Sequence, residues 1–113
     1  MNHPDFDMAV VREQLCALQQ QFRDDSNQSK SQRATVELDQ TTTGRLSRMD
    51  ALQAQAMAQA AERRRAVQVQ RIGQALKRID EGVFGECIEC GEWIAKPRLE
   101  LDLTTLKCID CAA

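Results

Sequence analysis

Met8, Val11, Leu15, Leu18 and Phe22 recur at intervals of 3, 4, 3 and 4 residues among polar and charged neighbours. That spacing places them in one narrow stripe on a helix, the pattern of a coiled-coil seam. Beyond Phe22 the chain turns polar through Asp24-Asp25-Ser26-Asn27-Gln28-Ser29, and the stripe positions become Asp25, Ser29 and Gln32 until Val36 restores an apolar residue. A weaker continuation of this first arm is expected there. Ala51, Ala54, Ala58 and Ala61 repeat the spacing, followed by Val69, Ile72, Leu76, Ile79 and Val83. Alanine, glutamine and arginine all favour helix, and small seam residues let two helices approach closely. Ser47-Arg48-Met49-Asp50 reads as a helix start, with Ser47 capping and Asp50 at the third position.

The two stripes match if the chain folds back on itself. Met8 then meets Ile79, Val11 meets Leu76, Leu15 meets Ile72 and Leu18 meets Val69. The same register sets Ser29 opposite Ala58 and Val36 opposite Ala51, and centres the reversal between Thr43 and Gly44, where glycine suits a sharp turn. The expected fold is mainly α. An antiparallel coiled-coil helical hairpin occupies 1–80, with arms over about 8–40 and 47–80 and a tip over about 41–47, and a small module fills 81–113. Dimerisation through the same seam is the competing arrangement.

Composition supports thin packing. Of 113 residues 42% are apolar, but 14 of these are alanine and five cysteine, which leaves too little large apolar surface for a thick core. The net charge of −2 selects neither nucleic acid nor anionic membrane globally, yet it hides an asymmetry. Residues 51–79 hold six cations and one acid, whereas 80–113 hold eight acids and three cations. The switch falls at Asp80-Glu81-Gly82, which marks the module boundary. No apolar run approaches membrane-spanning length. Met1 to Asp7 does not resemble a signal peptide, so a cytoplasmic protein is expected.

In that compartment cysteines point to metal or catalysis rather than structural disulfides. Cys87-Ile88-Glu89-Cys90 and Cys108-Ile109-Asp110-Cys111 are two CxxC pairs separated by 17 residues, the spacing of a four-cysteine zinc site. Each tight turn presents two thiolates, and two turns complete a tetrahedron. Gly91 follows the first pair, where positive φ lets backbone N–H groups face sulfur. Trp93, Ile94, Leu99, Leu101, Leu103 and Leu106 alternate as short strands would. A segment this small needs its one structural zinc ion in order to fold. A redox dithiol lacks a βαβ setting here, and four thiolates leave no open position for catalysis. His3, the one histidine, sits in an end expected to fray without a partner, and Cys16 reads as a small apolar residue beside the seam. No hydrolytic or acid–base constellation is visible, so no enzyme is expected.

A helical hairpin followed by Phe84-Gly85-Glu86-Cys87 and Cys90-Gly91, with Ile94, Arg98-Leu99-Glu100 and a second CxxC, resembles the DksA/TraR family of bacterial regulators. The resemblance covers about residues 44–111. It implies a non-enzymatic transcription regulator whose coiled-coil tip enters the secondary channel of bacterial RNA polymerase, often together with ppGpp, without binding promoter DNA. It further implies zinc on Cys87, Cys90, Cys108 and Cys111, and nucleotide or polymerase-rim contacts at Arg64 and Arg71. Gln68 and Ala112 depart from the family at that pocket. Members with strong activity carry two aspartates three apart at the turn, where this chain has Gly44 and Ser47. Asp39 and Asp50 are the nearest acids, and Gly44, Arg45, Ser47, Arg48 and Asp50 form the candidate polymerase-contacting tip.

Arg64, Arg71 and Arg78 recur every seven residues and share a helix face, which fits phosphate contact or simply a solvated outer face. Duplex DNA binding is disfavoured, because the acidic module has no basic recognition helix. A monomer is expected for a channel-binding protein. A coiled-coil adaptor that uses zinc as a cap and binds another protein is the alternative.

Overall fold

Asp7 starts the first helix: its carboxylate accepts from the Ala9 N–H at 2.9 Å, in an extended backbone conformation typical of an N-cap. Phe6, just before it, packs into the same apolar cluster as Val11, four residues inside the helix, as a hydrophobic staple does. The computed structural model describes residues 1–33 and 45–112. Within them run α1 (Met8–Gln28), α2 (Lys30–Arg33), α3 (Arg45–Glu81), α4 (Lys96–Leu101) and α5 (Ile109–Ala112). The molecule is elongated, 64 × 30 × 20 Å. No described helix is long and apolar enough to cross a membrane.

The helices of the hairpin pack antiparallel. Arg12 pairs with Asp80 at 2.5 Å near the base, Ser26 reaches Glu62 at 3.0 Å midway, and the Arg33 carbonyl accepts from Gln55 at 3.4 Å further out. At the base, Val11, Leu15, Ile72, Ala75 and Ile79 are buried together with Phe84, and Met8, Phe22 and Leu76 pack on them. Fully burying side chains such as Leu15 and Ile72 stabilises by about 1.5–3 kcal/mol each.

Further out, the seam keeps Ala51, Ala58 and Ala61 half-buried but departs from the expected alanines at Ala54. Stepping back from Ile79 and Leu76 by sevens leads through Ile72, Arg65, Ala58 and Ala51, and through Val69, Glu62 and Gln55. All of these except buried Ile72 are half-buried, whereas Ala54 is exposed. On α1, Leu18 stays 42% exposed and Gln19 is half-buried in its place. Apolarity favoured Ala54, but the heptad also continues through polar residues that are satisfied across the seam. Glu62 accepts from Ser26 and Arg65, and Arg65 donates to Ser29 at 2.7 Å. These bonds place Ser26 opposite Glu62 and Arg33 opposite Gln55, each one residue beyond the alanine register.

The first arm breaks at Ser29, between α1 and α2. The Ser29 hydroxyl and the Arg33 guanidinium both donate to the Ser26 carbonyl, at 3.2 and 2.7 Å, and so occupy an acceptor the helix would otherwise use. The distal part of that arm and the reversal near Thr43 and Gly44 lie outside the described residues. α3 begins at Arg45, so Ser47 lies within the helix rather than capping it.

α3 ends in a Schellman turn. Gly82 takes φ 76°, its N–H meets the Ile79 carbonyl at 3.1 Å, and the Val83 N–H meets Arg78 at 3.0 Å. The Arg78 guanidinium then donates to the Val83 and Glu86 carbonyls, tying the helix end to the first knuckle. The expected short strands reduce to a single antiparallel bridge, Glu86 with Trp93, among the described residues. α4 occupies the next stretch, with Pro97 in its first turn, where a missing N–H costs nothing. The alternating apolar residues misled, because Ile94 just before α4 and Leu99 within it are buried while Leu101 is 90% exposed.

The first seven residues correct another expectation: they do not fray. Asn2 donates to the Ile79 carbonyl and accepts from the Phe84 N–H, and the His3 N–H donates to Phe84 at 2.8 Å. His3 is buried between Phe6 and Trp93, with ring centroids 5.2 Å from each. Its Nδ1 accepts from the Asp5 N–H, so Nε2 carries the proton donated to the Ile94 carbonyl at 2.8 Å. This strap joins α3, the Phe84 turn and the zinc module.

Candidate metal centre

Two knuckles and their backbone bonds build the cysteine cluster. In the first, the Cys87 N–H donates to the Glu92 carbonyl at 2.8 Å and the Gly91 N–H returns to Cys87 at 3.0 Å, with Gly91 at φ 76°. The Ile88 N–H reaches Leu106 at 2.9 Å and so fixes the second knuckle against the first. There, the Cys111 and Ala112 N–H groups fold back on the Cys108 carbonyl as α5 begins. Lys107 pairs with Glu89 at 2.8 Å across the two. Beneath them Cys87, Ile94 and Leu99 form a small buried cluster, with Phe6, Cys108 and Cys111 packed against it.

The four sulfur atoms of Cys87, Cys90, Cys108 and Cys111 all lie within 4.8 Å of one another, and those of Cys90 and Cys108 are 3.6 Å apart. Zinc–sulfur bonds of about 2.3 Å imply tetrahedron edges of roughly 3.8 Å. The donor set therefore fits one zinc ion. Its electrostatics agree. The backbone N–H of Cys90, then that of Cys108, lowers the Cys87 thiol to about 6. Hydrogen bonds from Cys108, Cys87 and Cys90 push Cys111 up instead. At Cys90 the Glu92 N–H pulls down, but burial and the Cys108 and Cys87 sulfurs outweigh it and raise the thiol. Sulfurs this close compete for negative charge, and a divalent cation resolves that by taking them as thiolates. When bound, zinc supplies a closed structural link between the knuckles.

The remaining candidate residues are scattered. Gly44 lies outside the described residues, and Arg45 and Ser47 fall in the first turn of α3. Arg48 is half-buried, its Nε without a hydrogen-bond partner among the described residues, and Asp50 is exposed. Arg64 is exposed beside Ala60, Arg63, Val67 and Gln68, with no ion pair among the described residues. Arg71 opens onto a groove of about 520 Å³ that it shares with Arg98, Lys107 and Thr105. There its guanidinium lies 3.4 Å from the Asp102 carboxylate. Sequence reasoning missed that pair, since nothing local links positions 31 apart. Cys16 is exposed rather than tucked beside the seam.

A two-helix hairpin joined to a four-cysteine zinc knuckle defines the class of this protein. Residues 82–113 match the family described as the prokaryotic dksA/traR C4-type zinc finger. Among solved structures, transcription factor DksA2 from Pseudomonas aeruginosa is similar in fold at 20% identity, with a TM-score of 0.68, over 92% of this chain and 75% of that one. No curated protein matches the sequence. The resemblance to the DksA/TraR family is thus supported by the zinc module in sequence and by nearly the whole chain in fold.

Proposed function

We propose that this protein is a non-enzymatic, cytoplasmic transcription regulator that binds bacterial RNA polymerase and inserts the tip of its hairpin into the secondary channel. The observation that carries this reading is the hairpin seated on a C4 zinc module, the arrangement shared with a transcription factor over most of the chain. A narrow rod suits a channel, and the Arg45 end of α3, opposite the zinc module, enters it first. Zinc holds the base rigid. Arg48 and Asp50 act near the catalytic region, where the regulator works by bulk and charge rather than by chemistry. Arg64, free of ion pairs among the described residues, is available to a polymerase surface or to a phosphate of ppGpp. Arg71 reaches an anion only by leaving Asp102.

The test is binding of zinc-loaded protein to purified bacterial RNA polymerase, with a known secondary-channel factor as competitor. Mutual exclusion supports the channel; absence of binding at micromolar protein removes it. Arg48→Ala and Asp50→Asn are expected to weaken the transcriptional effect with zinc content and helicity intact. A coiled-coil adaptor is favoured by one observation, the exposed Met57 and Val67 on the outer side of α3. Self-association in sedimentation, abolished by Val67→Glu, identifies that alternative.

A further inference from the structure

A groove of about 800 Å³ opens beside the cysteine cluster, with Trp93, Pro97, Leu101 and Ile109 as its apolar lining. Leu101 is 90% exposed, Ile109 71% and Trp93 39%. Large apolar side chains grouped around a concave surface mark a binding site more often than isolated ones do. The rest of the lining, apart from Ala95 and one cation, Arg98, is anionic. Cys90, Cys108 and Cys111 contribute sulfur, and four thiolates around a divalent ion leave a net charge of about −2 there. Glu92 and Asp110 also line the groove, and neither forms an ion pair among the described residues. Of the nearby cations, Lys96 pairs with Glu100 and Lys107 with Glu89. Arg98, in the lining, donates its Nε to the Lys107 carbonyl and offsets one of these negative charges without reversing the sign.

We propose that this groove docks a segment of a partner protein in which an arginine or lysine stands next to a large apolar side chain. The apolar side chain fills the space between Leu101 and Ile109. The cation meets Glu92 and Asp110, with the Trp93 face able to receive a guanidinium. Charge complementarity selects this occupant, and the same charge repels phosphate backbones. The proposal stands apart from the polymerase reading, because it follows from the groove's own chemistry whichever protein carries the segment.

A displayed peptide library selected on the full-length, zinc-loaded protein tests it. Recovered peptides should place Arg or Lys beside Leu, Phe or Met, and should bind at least about tenfold more weakly to the Leu101→Glu/Ile109→Glu variant. Both side chains are exposed, so zinc content and helicity should survive; Glu92→Gln, which only removes charge, gives a second and smaller loss. Trp93 is the one tryptophan, so 5-fluorotryptophan labelling reads occupancy directly as a shift of a single resonance when the best peptide is added. No enrichment, peptides without a cation, or equal binding by the double variant overturns the proposal. So does self-association of the chain that Leu101→Glu abolishes, which would make a second copy the occupant.

Discussion

Gly85→Ala tests whether the amino-terminal strap is part of the folded core. Gly85 has φ 87°, and an added Cβ there would stand 2.5 Å from the His3 Cβ and 2.8 and 2.9 Å from its ring carbons Cδ2 and Cγ. Left-handed backbone costs an alanine about 1–2 kcal/mol. The clash adds to that, because His3 cannot yield freely: its N–H is held by Phe84 and its ring by Ile94, each at 2.8 Å. Giving up those two bonds costs roughly 0.5–1.5 kcal/mol each, and more where the Ile94 carbonyl is left unsatisfied. The expected loss is about 3–5 kcal/mol, a large share of the ~5–15 kcal/mol that holds a typical domain. Urea unfolding of the zinc-loaded protein, followed by far-UV circular dichroism, measures it. Gly73→Ala is the control: it lies within α3 with nothing within 4 Å of an added Cβ, and should gain about 0.5–1 kcal/mol. In a His3→Gly background the Gly85→Ala penalty should shrink toward the backbone cost alone. A Gly85→Ala loss below about 1 kcal/mol, or one unchanged by His3→Gly, would refute the strap.

Chelation of zinc, or Cys87→Ser, should unfold the module, whose buried cluster of Cys87, Ile94 and Leu99 is small. The readout is a red shift of Trp93 fluorescence with most α3 helicity retained. The Glu62 carboxyl is held below its ordinary value of 4.5, first by the Ser26 hydroxyl and then by Arg65 and Arg33, against an opposing effect of burial. Its folded form is therefore the more acidic. The stabilisation is present above the ordinary value and disappears as pH falls through the lower folded one, so the urea midpoints of wild type and Glu62→Gln should differ above the ordinary value of 4.5 and converge as pH is lowered well below it. A constant gap would remove this carboxylate from the pH response. Asp102→Asn keeps an oxygen for the Thr104 N–H and hydroxyl but releases Arg71. Stability should change by less than about 1 kcal/mol, while ppGpp binding to the polymerase complex should tighten; unchanged affinity would show that Asp102 does not restrain Arg71.

Local information determined a good deal. Two CxxC pairs specify a four-sulfur donor set because cysteine chemistry at that spacing has few other uses, and the structure brings those sulfurs within 4.8 Å. The basal seam was also legible: Leu15 and Ile72 carry their own periodicity and bury each other. Gly82 announced the end of α3. What tertiary structure alone decided lies where hydrogen bonds run between distant residues. The outer seam passes through Gln55, Glu62 and Arg65 because Ser26, Ser29 and Arg33 satisfy them from the other arm. A one-dimensional stripe, which scores apolarity, chooses Ala54, which the structure leaves exposed. Similarly, nothing around His3 predicts burial, because its partners Phe84 and Ile94 come from the far end of the chain. Periodicity records which face a helix buries, but pairing of polar groups becomes visible only once the chain has brought donor and acceptor together.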